Sequence, residues 1–367
     1  MMSKNDTSSR KRFLTALNKE QPDKVPIFEV YIDEIMFIKI AQILSNEEIH
    51  LESEHTGQLS NRDEILDLYC FMANELGLDA VSGYFSVGLK KIDEHYGSDK
   101  FGIKYEFSSH GEPIIIEGPI KDHSDIKNFN MSSQLSSEDC TDTTYLMNKL
   151  GDSKAHILDV FDPFKISWYL RGGMQNLLVD YMVNPKLVHD LAKIGTEYII
   201  ASVEFAANLG VDAILMVGDL AGEINTIISP EHFREFIQPY EKIIVDFAHT
   251  KGLKVIKHSD GNLWPIMDDL LEVGFDGLHP IQPQCMDIAE VKKLYSDKLC
   301  IFGNIDCRDL LCSESEDEVE RVVKETIDIA GKDGGYVITS SNSIHPGVKP
   351  ENYIAMVEAA HKYGRYE

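Results

Sequence analysis

Residues 212–260 read DAILMVGDLAGEINTIISPEHFREFIQPYEKIIVDFAHTKGLKVIKHSD. The stretch opens on an apolar run that stops at Gly218-Asp219, and it closes on a second run that ends in His258 and Asp260. Between the two, Ser229-Pro230 sets a capping hydroxyl before a proline at the first helical position, and Gly252 follows the last amphipathic turn. The spacing predicts a buried strand, a helix and a second buried strand. Near-continuous apolar runs of this kind belong to parallel strands covered on both faces.

The same alternation extends outward in both directions. Candidate strands are VPIFEVYI (25–32), DAVSGYF (79–85), HILDVF (156–161), DAILMVGD (212–219), LKVIKHSD (253–260), DGLHPI (276–281), LCIFGNID (299–306) and GYVITSSN (335–342). Helical spacing marks the segment opening at Asn184-Pro185, residues 318–331 and residues 350–363. Eight strands alternating with helices predict a (β/α)8 TIM barrel, with a doubly wound open sheet as the alternative. Within residues 90–121, Ser109-His110-Gly111 separates two strand-like runs and predicts a β-hairpin inserted after the second strand. Residues 132–144, SSQLSSEDCTDTT, are polar and turn-rich, a surface loop. With no linker rich in Pro, Gly or Ser, residues 1–367 read as a single domain.

Thirty-five basic and 61 acidic side chains leave a formal charge of −26. That balance opposes nucleic acid or an anionic membrane as partner. No run is long and apolar enough to span a bilayer, and the six cysteines form no CxxC pair, so the expected setting is the cytoplasm.

In such a barrel, chemistry gathers at the C-terminal ends of the strands. Those ends carry Glu29, Tyr31, Tyr84, Asp219 with Glu223, His258 with Asp260, His279 with Gln282, Asn304 and Asn342. His258 and Asp260 share a strand face because side chains alternate with period 2. Such a pair suits either one metal ion or one substrate hydrogen-bond partner. Asp219 reads as a general acid or base, a metal ligand or a helix cap.

The chain resembles the uroporphyrinogen decarboxylase superfamily, and within it the corrinoid-dependent methyltransferases. The resemblance runs through RFLTALNKEQPDKVPIF (12–28), EGPIK (117–121), WYLRGGMQNLLVDYMVNP (168–185), SPEHFREFIQPYEKII (229–244), HSDGN (258–262), GFDGLHPIQP (274–283), FGNID (302–306) and SSNSIHPGVKPENY (340–353). Decarboxylases of the superfamily carry an arginine-containing stretch after the first strand and a histidine after the last. Here those places read IFEVYIDE (27–34) and Ser341-Asn342-Ser343-Ile344, against decarboxylation of a tetrapyrrole. Thiol-methylating members hold zinc with an H-x-C motif and a later cysteine. His258 matches the first ligand, while Asp260 and Asn342 replace both cysteines.

The resemblance therefore implies the first methyltransferase of an O-demethylating system. Its methyl donor is a small methoxylated, aromatic substrate, and its acceptor is the corrinoid (cobalamin) of a separate partner protein. On this reading His258, Asp260, Asp219 and Glu223 are catalytic. His258, Asp260 and Glu223 form a metal set, with zinc as a candidate. Glu29, Tyr31, Tyr84, His279, Gln282, Asn304 and Asn342 bind substrate or corrinoid. The alternatives are methyl transfer from a methylcorrinoid to tetrahydrofolate or a thiol, and a decarboxylase of the same superfamily.

Overall fold

The computed structural model describes residues 7–49, 62–108 and 113–366. Seven parallel strands form one curled sheet: β1 (Ala80–Tyr84), β6 (Ala155–Phe161), β7 (Ala213–Val217), β8 (Lys254–His258), β9 (Gly277–Ile281), β10 (Cys300–Ile305) and β11 (Tyr336–Ser340). They follow one another in sequence order, each with its neighbour, and helices cover the outside. The architecture is α/β and TIM-barrel-like.

Residues 25–32, expected as the first barrel strand, do not form a regular one. They meet β11 through isolated bridges, Ile27 to Ile338 and Ile32 to Ile344. On the other side the Asp79 N–H donates to the Ile27 carbonyl at 2.8 Å. The segment thus links the two edges of the sheet with few backbone bonds. Pro26 lacks a donor, and the Ile27 N–H is taken by the Asp79 carboxylate at 2.9 Å, so no continuous ladder develops.

Between β1 and β6 lies a separate antiparallel sheet of four strands, not two: β2 (Lys90–Lys91), β3 (Tyr96–Ser98), β4 (Lys104–Phe107) and β5 (Pro113–Glu117). β4 and β5 pair antiparallel, and the Ser109-His110-Gly111 turn expected there falls outside the described residues. The segment after Ser229 is likewise two helices, Pro230–Phe236 and Gln238–Thr250. Ile237 breaks them because Pro239 supplies no N–H and disfavours helical geometry just before it. The Ser229 hydroxyl does cap the first, accepting from the His232 N–H at 3.2 Å. Among the described residues, no helix is long and apolar enough to cross a membrane.

Strand alternation sorts the core into two layers. Inside the curled sheet, Phe28, Val30, Ala80, Ile157, Leu215, Ile256, Phe302 and Val337 pack together, with Phe13, Ala16 and Leu17 of helix Ser9–Leu17 joining them. Alternate residues, such as Val255 and Ile338, face the helices. Lys257 faces that outer layer too. Its ammonium lies 2.6 Å from Asp162 and 2.9 Å from Glu241, and all three side chains are fully buried. Gly218 packs directly on Asp162, where an added Cβ would meet the carboxylate oxygen at 2.1 Å.

Two outcomes follow from these buried charges. Lys257→Met strands two carboxylates in the interior and is expected to cost about 3–5 kcal/mol in urea unfolding. A loss below about 1 kcal/mol, the range of exposed pairs, would refute that role. Glu29 is buried, and burial raises its carboxyl to about 8 despite donors from Ser340. Folded protein then holds a proton that the unfolded chain releases near its ordinary value of 4.5, so this group's contribution to stability falls as pH rises toward 8. Glu29→Gln should flatten that part of the urea midpoint–pH curve, and an unchanged slope would count against it.

Candidate active site

At the C-terminal end of β8 the chain delivers His258 to the inner face, followed by Asp260. β7 ends one strand over, so Asp219 arrives beside them. One ligand atom from each of Asp219, His258 and Asp260 lies within 4.8 Å of the others. His258 Nε2 is 3.7 Å from Asp219 Oδ1 and 3.8 Å from Asp260 Oδ1. The Asp260 N–H also donates to Asp219 Oδ1 at 3.4 Å. The structure does not bring Glu223 into this set. That residue is exposed and its carboxylate pairs with Arg308 at 2.8 Å. The expected metal set therefore has Asp219 in the place given to Glu223.

The orientation of His258 is set from behind. Its Nδ1 meets His279 Nδ1 at 2.8 Å, and His279 Nε2 meets the Thr339 hydroxyl at 3.1 Å. The Thr339 hydroxyl itself donates to the Ser340 carbonyl at 2.5 Å. Its oxygen must then accept from His279 Nε2–H, which leaves His279 Nδ1 as an acceptor for His258 Nδ1–H. His258 Nε2 is thereby the unprotonated nitrogen. Burial pushes the His258 imidazole down to about 4, against the pull of Asp219, and holds His279 well below its ordinary value.

A bare nitrogen lone pair thus faces two carboxylate oxygens. Asp260 Oδ1 is buried without a hydrogen-bond partner, while Oδ2 accepts from the Asn342 side-chain amide. Burial first, and then the charge of Asp219, raise the Asp260 carboxyl to about 7. Three lone pairs converging on one point fit a cation or a proton between them. One imidazole and two carboxylates suit a divalent ion such as zinc, leaving coordination positions open to an oxygen ligand.

His258 and Asn342 also line a cavity of about 340 Å³. Its walls are mainly apolar and aromatic, with Val30, Tyr31, Tyr84, Phe85, Phe161 and Tyr198 among them. Tyr31 and Tyr84 meet edge to face at 6.0 Å. The volume lies at the lower end of the roughly 300–1,000 Å³ usual for small-molecule sites.

The other expected binding residues are placed differently. Glu29 turns outward, because Phe28 and Val30 take the inner face, and its carboxylate accepts from the Ser340 N–H and hydroxyl at 3.0 and 2.7 Å. His279 is fully buried and acts behind His258 instead of on a ligand. Gln282 accepts from the Gly261 N–H at 3.0 Å and so fixes the turn after Asp260. Asn304 is buried at the end of β10 and does not line the cavity. Sequence reasoning missed Asp159 and Lys165, which do line it. A carboxyl within the apolar run HILDVF (156–161) was the signal for the first, at an inward position of β6.

The model of the family described as uroporphyrinogen decarboxylase (URO-D) matches residues 8–363. The uroporphyrinogen decarboxylase of Hydrogenovibrio crunogenus is 23% identical over 368 residues, covering 95% of each chain. The methylcobamide:CoM methyltransferase MtaA of Methanosarcina barkeri is 28% identical over 170 residues, 46% of this chain and 47% of that protein. Among solved structures, a methyltransferase from Methanosarcina mazei superposes with a TM-score of 0.75 at 20% identity, covering 98% of this chain and 99% of its own. That likeness speaks for the fold. With a family match running from the first described helix to the last, the chain belongs to the uroporphyrinogen decarboxylase family.

Proposed function

We propose that the protein is a methyltransferase that accepts a small methoxylated substrate, aromatic in class, and passes its methyl group to the corrinoid of a separate protein. One observation carries the reading: His258 of the Asp219–His258–Asp260 cluster lines an apolar, aromatic cavity sized for a single substituted ring. The sequence likeness to a methylcobamide:CoM methyltransferase over nearly half the chain favours methyl transfer within the family.

An aryl oxide is a poor leaving group unless positive charge meets it as the methyl–oxygen bond weakens. Asp219, His258 and Asp260 would hold a divalent ion supplying that Lewis acidity, and the corrinoid of the partner would supply the nucleophile. The chain's own contribution is positional. Thr339 and His279 fix the imidazole, Asn342 fixes Asp260, and the aromatic walls keep water from the reacting oxygen. A cavity of about 340 Å³ admits a ring but not a macrocycle, so the methyl group must point toward the mouth. Decarboxylation of a tetrapyrrole fits less well. Such a substrate brings several carboxylates, and among the described residues a single lysine, with no arginine, lines the cavity.

The cluster lacks a thiolate: among the described residues no cysteine belongs to it. Oxygen and nitrogen donors leave the ion a strong Lewis acid toward an ether oxygen, where thiolates would soften it.

Two measurements test this reading. Protein dialysed against zinc should retain about one ion per chain. Asp260→Asn should lose it and slow uptake of methyl groups by reduced corrinoid protein by on the order of 100-fold. Full metal binding and full transfer in that variant would remove the central assignment. His279→Phe keeps every proposed ligand but removes the partner that orients His258. Zinc affinity should drop about 10–100-fold, and unchanged affinity would show that the histidine pair plays no positioning role.

A further inference from the structure

The cavity is uneven in charge. Among the described residues, Lys165 is its only lining lysine or arginine, and the side chain projects from the first turn of helix Pro163–Leu170. Asp162 caps that turn, accepting from the Lys165 N–H at 2.6 Å, so the root of the side chain is fixed. The ammonium lies 4.7 Å from the centroid of the Phe161 ring, whose face supplies only a partial negative charge. Among the described residues, no carboxylate stands within ion-pairing distance of it.

The carboxyl groups nearby do not fill that role. Among the described residues, Asp159 is the one carboxyl lining the cavity. It accepts a hydrogen bond from the Ser82 hydroxyl, and burial raises it well above the usual carboxylate range. Asp219 and Asp260 converge at His258 Nε2, near enough for the Lys165 charge to lower both the His258 imidazole and the Asp260 carboxyl. The pocket therefore combines a cation-holding cluster with an ammonium in electrostatic reach of it, among aromatic walls.

We infer that the ligand of this cavity is an aromatic carboxylate, its anionic group docked on the Lys165 ammonium and its ring lying against Phe161, Tyr84 and Tyr198. What faces His258 rests on the methyl-transfer reading above; the anion at Lys165 stands or falls by binding alone.

Isothermal titration of the zinc-loaded protein with the three isomeric methoxybenzoates, and with the corresponding uncharged methoxybenzamides, tests the assignment. At least one acid should bind about tenfold or more tighter than its amide, the margin expected of a charged hydrogen-bond pair. Lys165→Met should reduce that preference to less than about threefold while leaving amide affinity in place, and Lys165→Arg should preserve it. Amides that bind as tightly as acids, a preference that survives Lys165→Met, or no binding by any isomer would overturn the inference. Methyl uptake by corrinoid protein is read separately on the same compounds. An anion preference without methyl transfer supports Lys165 and sinks the methyl-transfer reading. Equal methyl transfer from acid and amide does the reverse.

Discussion

The site depends on one buried electrostatic knot. Lys257 sits immediately before His258, and its ammonium lies between Asp162 and Glu241 in the buried interior. Asp162 has a second task, capping the helix that carries Lys165. One carboxylate thus fixes both the end of β8 and the beginning of the helix after β6. Burying three ionised groups is costly and is tolerated only where the geometry satisfies each of them. The knot stabilises little against an apolar alternative. Its effect is to fix the registration of His258 relative to Lys165 across the β6 and β8 units, which flank β7.

The histidine pair extends this principle inward. A neutral imidazole can present either nitrogen, and only the choice of hydrogen-bond partner decides which. Here the decision begins at the Thr339 hydroxyl on β11 and passes through His279 on β9 to His258 on β8. Three strands of the curled sheet therefore set the state of one nitrogen. Burial excludes the doubly protonated forms that would scramble the order.

Much of this was legible from residues alone. Apolar runs and helix punctuation located the seven regular strands, and the period-2 rule placed His258 and Asp260 together. What was not legible depends on three-dimensional closure. Residues 25–32 have the apolar content of a strand, yet Pro26 and the Asp79 side chain remove the donors a ladder needs. Glu29 looked like a strand-end site residue, but facing is decided by register with β11, where Ser340 takes its carboxylate. Glu223 is four residues from Asp219 and was grouped with it; the loop instead carries it to Arg308, a partner 85 residues away. Lys165 stayed hidden because a lysine in the first turn of a helix is ordinarily solvated, and only the curl of the sheet brings it to the cavity wall.

The donor set gives the last link between sequence and chemistry. In a cluster built on cysteine, sulfur donates charge to the ion and favours activation of a thiol. Asp260 and Asn342 stand where the resemblance would place those sulfurs, and the Asn342 amide donates a hydrogen bond to Asp260. Asn342 thus ceases to be a ligand and orients one, while Asp219 from the adjacent strand completes the set. Carboxylate oxygen is a harder, less polarisable donor, and an ion held by two of them retains more of its affinity for oxygen. Replacing two sulfurs by one carboxylate and one amide would therefore shift the preference of an ion held there from a soft acceptor to an ether oxygen.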